Sequence, residues 1–216
     1  MKTYFFCFLI IILFGACAQK KNIKSDYFPL EVGNEWDCRY SEYILRRSVV
    51  STEEHDGKIF YKVEEYVAPE GKDTVLINRE ILFCYDDSGN VYRRINNFDS
   101  LRKEFPYYET RTRDGLCLWY KFNAIPGDCW GGDANDYLLP QYVTKYKITL
   151  LSTTASVISR EKTIDSCYIF KIESLSSSQP EYYEWLAKGI GIVRRSSFLD
   201  KPGYILDTYS VNKSRE

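Results

Sequence analysis

Short runs of alternating apolar and polar residues, separated by turn-forming clusters at hairpin spacing, restrict this chain to sheet structure. In the first run Trp36, Cys38 and Tyr40 fall on one face, and Asp37, Arg39 and Ser41 on the other. Further strands are predicted over Arg46 to Glu54, Lys58 to Val67, Thr74 to Tyr85, Val91 to Ile95 and Thr110 to Phe122. The same pattern continues over Tyr142 to Ser152, Ser156 to Arg160, Cys167 to Glu173, Glu181 to Ser196 and Tyr204 to Val211. His55-Asp56-Gly57 and Asp86-Asp87-Ser88-Gly89-Asn90 are the clearest turns between them. A polar stretch or short helix is expected over Asn96 to Tyr108, and a Ser-rich loop over Ser174 to Gln179. No long amphipathic helix interrupts the series. The expected fold is therefore all-β and mainly antiparallel: a single curved sheet or half-open barrel of about ten strands. With 16% aromatic residues, 19 of them tyrosines, the composition favours strands as well.

The first seventeen residues follow a different rule. Lys2 precedes an apolar run from Tyr4 to Phe14, and Gly15-Ala16-Cys17 closes it. A bilayer-spanning helix needs about 20 apolar residues, so the run reads as an export signal rather than a span. Leu13-Phe14-Gly15-Ala16-Cys17 resembles a bacterial lipobox, in which the cysteine is lipidated and becomes the mature N-terminus. Ala16-Cys17-Ala18 also satisfies the small-x-small rule for ordinary cleavage after Ala18. The expected organisation is a lipoprotein signal peptide over 1–16, lipidated Cys17 with its tether over 17–26, and one β-rich domain over 27–216. Nine flexible residues span about 16 Å, which would hold the domain close to the membrane that carries the lipid.

Without Met1 to Ala16 the chain carries 28 basic and 30 acidic residues. They are dispersed, with no basic face, which excludes a nucleic-acid partner. Five cysteines remain in the domain, Cys38, Cys84, Cys117, Cys129 and Cys167, none of them in a C-x-x-C pair. An odd number leaves at least one thiol unpaired, and buried small hydrophobes describe most of them best. One histidine cannot complete a Cys/His zinc cluster, so no metal and no cofactor is expected. The clusters Asp86, Ser88, Asn90 and Asp133, Asn135, Asp136 offer oxygen atoms, yet neither matches a calcium loop. His55 sits at a hairpin tip, a poor place for a general base. Glu53-Glu54, Glu64-Glu65 and Asp86-Asp87 are adjacent pairs whose side chains point to opposite sheet faces. Lys188-Gly189-Ile190-Gly191 has no helix after it to present to a phosphate and reads as strand glycines.

One motif nearly repeats. Gly33-Asn34-Glu35-Trp36 and Gly127-Asp128-Cys129-Trp130 share G-[N/D]-x-W. In each, Gly supplies an unusual backbone angle, Asn or Asp bonds its own turn, and Trp opens a strand on the core face. The ordered set F-P-L-x-x-G-N-x-W at Phe28 to Trp36, Y-K-F-N-A-x-x-G-D-x-W at Tyr120 to Trp130, and A-K-G-I-G-I-V at Ala187 to Val193 resembles a group of small exported or lipid-anchored β proteins of Bacteroidetes and related bacteria. That resemblance implies no activity and no catalytic residues. Cys38 and Cys129 depart from it and raise the prospect of a disulfide between the sheets. Gly33, Asn34, Trp36, Gly127, Asp128, Trp130, Gly189 and Gly191 are expected to be structural anchors, and Cys17 the lipidation site. The expected role is a non-enzymatic envelope lipoprotein, held to the membrane by its lipid, that binds a partner protein or is part of an assembly. Two alternatives stand beside it: a carrier of lipid or another apolar ligand in a half-open barrel, and a carboxylate-dependent hydrolase.

Overall fold

The computed structural model describes residues 25–72, 75–96, 115–135, 143–159, 162–175, 181–197, 199 and 203–210. The signal segment, Cys17, most of the tether, nearly all of the 96–108 stretch and residues 110–114 lie outside these. Twelve strands form among the described residues: β1 (Glu35–Tyr40), β2 (Tyr43–His55), β3 (Lys58–Pro69), β4 (Ile77–Tyr85), β5 (Val91–Arg94), β6 (Leu116–Tyr120), β7 (Cys129–Asn135), β8 (Val143–Ser159), β9 (Lys162–Ser174), β10 (Tyr182–Ala187), β11 (Gly191–Ser196) and β12 (Tyr204–Ser210). All belong to one antiparallel sheet of order β6-β5-β4-β3-β2-β1-β12-β11-β10-β9-β8-β7.

This order is two six-stranded meanders joined where β1 pairs with β12, from Glu35↔Ser210 to Arg39↔Ile205. The sheet curls until its ends β6 and β7 meet, so the architecture is a nearly closed barrel. There the Trp119 and Tyr146 rings lie 5.2 Å apart, and Arg93 donates to the Asn135 carbonyl at 2.9 Å. Large apolar and aromatic side chains pack the interior among the described residues. Phe28, Leu30, Trp36, Tyr120, Tyr146 and Phe170 are among its largest fully buried side chains. The segment Tyr27 to Leu30 crosses the upper end, where the β2–β3, β4–β5 and β10–β11 turns lie, and plugs it. Tyr85 Oη fixes that plug by donating to the Phe28 carbonyl at 2.5 Å and accepting from Leu30 N at 2.7 Å.

Four differences from the sequence expectation have physical causes. Gly131 to Asp136, expected as a Gly- and Asp-rich loop, belongs mostly to strand β7, because its glycines let the backbone lie close to Tyr146 and Cys117. Glu181 to Ser196 is a hairpin, β10–β11, because Gly189 at φ +71° turns the chain where unbroken alternation was expected. The runs either side of Ser152 to Ala155 form one strand, β8, with bulges absorbing the irregular register against β9. The outer arm of that hairpin folds back to reach β11 and β12, and Ser159 Oγ donates to the Leu206 carbonyl. Tyr40 is exposed, because it ends β1 beyond the barrel wall and rests edge-on against Tyr204 at 5.8 Å.

Candidate functional site

The sequence-singled anchors fall into two similar turns and one meeting point. Gly33 N donates to the Val49 carbonyl at 2.8 Å, and Val49 N donates back to the Asn34 carbonyl at 2.9 Å. Gly127 N donates to the Leu150 carbonyl at 2.8 Å, and Leu150 N to the Asp128 carbonyl at 3.1 Å. The two glycines have φ of +92° and +100°, so both turns use a conformation that a β-carbon resists. The side chains at the second position differ in partner: Asn34 Nδ2 donates to the Pro29 carbonyl, whereas Asp128 Oδ2 accepts from Ile125 N. After the turns the strands diverge. Trp36 is 1% exposed and stacks on Phe28 at 6.2 Å, while Trp130 is only half-buried against Phe170 at 6.1 Å. Trp36 Nε1 donates to the Ile190 carbonyl across the barrel mouth. A β-carbon on Gly191 would lie 2.9 Å from that same nitrogen. The tryptophan of the first signature and the glycine of the last are thus one contact. Gly189 N donates to the Asp26 carbonyl at 2.6 Å, which holds the start of the domain on the same turn.

The interior also contains a charged cluster absent from the sequence-based site set. Arg47, Glu65 and Arg79 are direct cross-strand neighbours on β2, β3 and β4; Glu184 and Arg195 are neighbours on β10 and β11. Glu65 has no exposed surface. Its carboxylate accepts from Arg47, from Arg79 at 2.6 Å and from Arg195 at 3.5 Å. Glu184 accepts from Arg47 at 3.1 Å and from Tyr120 Oη at 2.5 Å. Burial alone would raise the Glu65 pKa, but the three guanidiniums hold it well below the usual carboxylate range. Burial, reinforced by Glu184, pushes the Tyr120 hydroxyl well above its ordinary value. The cluster bridges both meanders. A signal for it existed: Arg47 sits between Leu45 and Val49, and Glu65 between Val63 and Val67, in the inward phase of their strands. Chemically the cluster is locked, since each carboxylate is held by arginines and neither faces solvent.

The other titratable residues are dispersed. His55 lies at the β2–β3 tip, 2.9 Å from Glu53 and edge-on to Phe60. Glu64 is exposed on the outer face while its neighbour Glu65 is inside. Burial pushes the Cys38 and Cys117 thiols up to about 12 and Cys167 up to about 11, far from the reactive thiolate range. All five cysteines of the domain are free thiols. Cys38 is inside, whereas Cys129 is exposed beside Thr149 Oγ1 at 3.3 Å, so these two do not staple the sheet. No group of three His, Cys, Asp or Glu side chains gathers for a metal among the described residues.

Among the described residues, one concave surface lies at the upper rim of the barrel. A cleft of about 430 Å³ opens between the β2–β3 hairpin and the β4–β5 turn, lined by Glu54, Gly57, Lys58, Ile59, Tyr61, Tyr85, Asp86 and Asp87. Tyr61 and Tyr85 meet edge-to-face at 5.8 Å and make its floor. Asp86 builds one wall: its Oδ1 accepts from Ser88 N at 2.8 Å and Asn90 N at 2.9 Å, and its Oδ2 from Asn90 Nδ2 at 2.9 Å.

No family model and no curated protein matches the sequence. Two solved structures are similar. One is a lipoprotein candidate from Parabacteroides distasonis, 12% identical, covering 87% of this chain and 100% of that one with a TM-score of 0.48. The other is an exported-protein candidate with a YmcC-like fold from Bacteroides fragilis, 14% identical, covering 86% and 99% of the two chains with a TM-score of 0.49.

Proposed function

We propose that this chain is an exported, lipid-anchored protein of the cell envelope whose barrel acts by binding at its surface and not by catalysis. The observation that carries the location is the apolar run Tyr4 to Phe14 followed directly by Gly15-Ala16-Cys17. Two or more acyl chains on Cys17 would each contribute about 0.8 kcal/mol per buried methylene, enough for stable anchoring. The side chains that occupy the described interior support a surface role. An acyl carrier needs an empty apolar trough, whereas here Phe28, Leu30 and Trp36 occupy the mouth and an Arg–Glu cluster the middle. The interior carboxylates Glu65 and Glu184, buried under arginines, do not reach a substrate from solvent.

The test is fractionation of cells producing the Cys17→Ala variant. The wild type is expected in the membrane fraction and the variant in the soluble one. A variant that stays with membranes after a high-salt wash would overturn the anchor.

A further inference from the structure

We propose that the rim of the barrel beside the tether, made by the β6–β7 turn and the aromatic rings next to it, docks on the surface of a phospholipid bilayer. The described domain starts at this rim. Gly189 N donates to the Asp26 carbonyl at 2.6 Å, and Lys188 Nζ lies 3.4 Å from Asp26 Oδ2. Only Ala18 to Ser25 separate Asp26 from Cys17, a stretch that spans at most about 30 Å. The upper end is therefore the one next to the lipid. The β6–β7 turn lies there too, since Tyr120 at the end of β6 pairs with Val91 at the start of β5.

Three rings line the rim where the tether arrives. Tyr27 stacks on Phe122 at 5.4 Å and meets Tyr168 edge-on at 4.5 Å. Tyr168 Oη donates to the Phe122 carbonyl at 3.1 Å, and all three rings are half-buried. Amphipathic rings such as tyrosine are favoured at the level of lipid head groups. From Phe122 the turn rises to Ile125, which is 69% exposed, more than any other large apolar side chain among the described residues. Pro126 beside it is exposed as well. The donors of this tip need no water. Ile125 N donates to Asp128 Oδ2 at 3.2 Å, and Pro126 has no N–H. Gly127 N donates to the Leu150 carbonyl at 2.8 Å, and Asp128 N to the Ile125 carbonyl at 3.0 Å. Unpaired backbone groups are costly in lipid, so a turn that satisfies them internally is suited to enter a bilayer surface. One apolar turn is too small to retain the protein alone: the acyl chains anchor the domain, and the rim orients it.

This docking rests on the lipid anchor proposed above. The experiment reconstitutes the mature lipidated protein in phosphatidylcholine vesicles that carry a diazirine near the top of one acyl chain. Flotation with the vesicles reports the anchor, and mass spectrometry after irradiation reports which peptides touch lipid. Label is expected on the peptide containing Ile125. It should be absent from the peptide with exposed Val75 and Leu76, on the β3–β4 turn at the opposite end. Ile125→Asp should lose the label while flotation and circular dichroism stay as in the wild type. The label should also persist in high salt, because apolar contact is not screened. Docking alone is overturned if the protein floats without label at Ile125, with equal label at Val75 and Leu76, with label unchanged by Ile125→Asp, or with label lost in high salt. A protein that does not float at all would sink the anchor and the docking together.

Discussion

A carboxylate buried as deeply as that of Glu65 stays ionised only where fixed positive charge replaces water, and Arg47, Arg79 and Arg195 supply it. Removing one member of such a set leaves the others buried and uncompensated, at a typical cost of about 3–5 kcal/mol. Glu65→Gln should lower stability by that order at neutral pH. The pH dependence has a definite sign. The folded pKa is depressed, so the unfolded chain takes up the proton first as pH falls. The stabilisation is complete above the unfolded carboxylate value of about 4.3 and is lost progressively below it. Urea unfolding at several pH values should therefore show the gap between wild type and Glu65→Gln narrowing from about pH 5 downwards. A gap that stays constant into acid would mean the Glu65 charge contributes nothing. Opposite facing within the Glu64-Glu65 pair is legible from the sequence alone; which member goes inside depends on its neighbours. That choice follows from phase, because Val63 and Val67 are both inward and Glu65 shares their face.

The strand-opening tryptophans behave differently although their turns are alike. Trp36 lies on β1, flanked by β2 on one side and β12 on the other, and the Phe28 plug covers it. Trp130 lies on β7, the last strand of the sheet, and keeps one side partly open. Trp36→Ala should lower the unfolding free energy by about 3–5 kcal/mol, and Trp130→Ala by clearly less. Equal shifts in denaturant midpoint would show that edge position does not matter here. Turn chemistry was readable because Gly-Asn and Gly-Asp act locally. Depth was not, since it depends on which strands close over the ring from the far end of the chain. The strand count shows the same divide. About ten were expected and twelve form among the described residues: the Gly189 turn splits one expected strand, bulged β8 joins two, and β7 forms where Gly131 and Gly132 carry no alternation signal. The cleft is likewise a product of tertiary placement: Glu54 and Asp87 stand on separate hairpins.

Across the whole molecule the bonds between the two meanders include the β1–β12 ladder, the Arg47–Glu184, Arg195–Glu65 and Tyr120–Glu184 pairs, Trp36 on Ile190, and Arg93 on Asn135 where β6 meets β7. The general architecture was legible, since alternation and turn spacing are local. The expected curved sheet or half-open barrel forms; how closely β6 approaches β7 was not legible, because the extent of closure depends on the twist of the whole sheet. The β1–β12 ladder has a temporal consequence. Trp36 must wait for Tyr209, its partner from the opposite end of the chain, before the central seam can zip. Contacts this remote in sequence slow folding. During the proposed export the first half thus emerges with its middle edge unsatisfied, and the threaded chain stays extended and translocatable until its final strand is delivered. A chain ended before Tyr204 should remain protease-sensitive across its full length, whereas the intact one should resist. Persistent resistance of the shortened chain would mean the first meander consolidates by itself. The last strand, on this view, is the latch that turns a passenger into a resident.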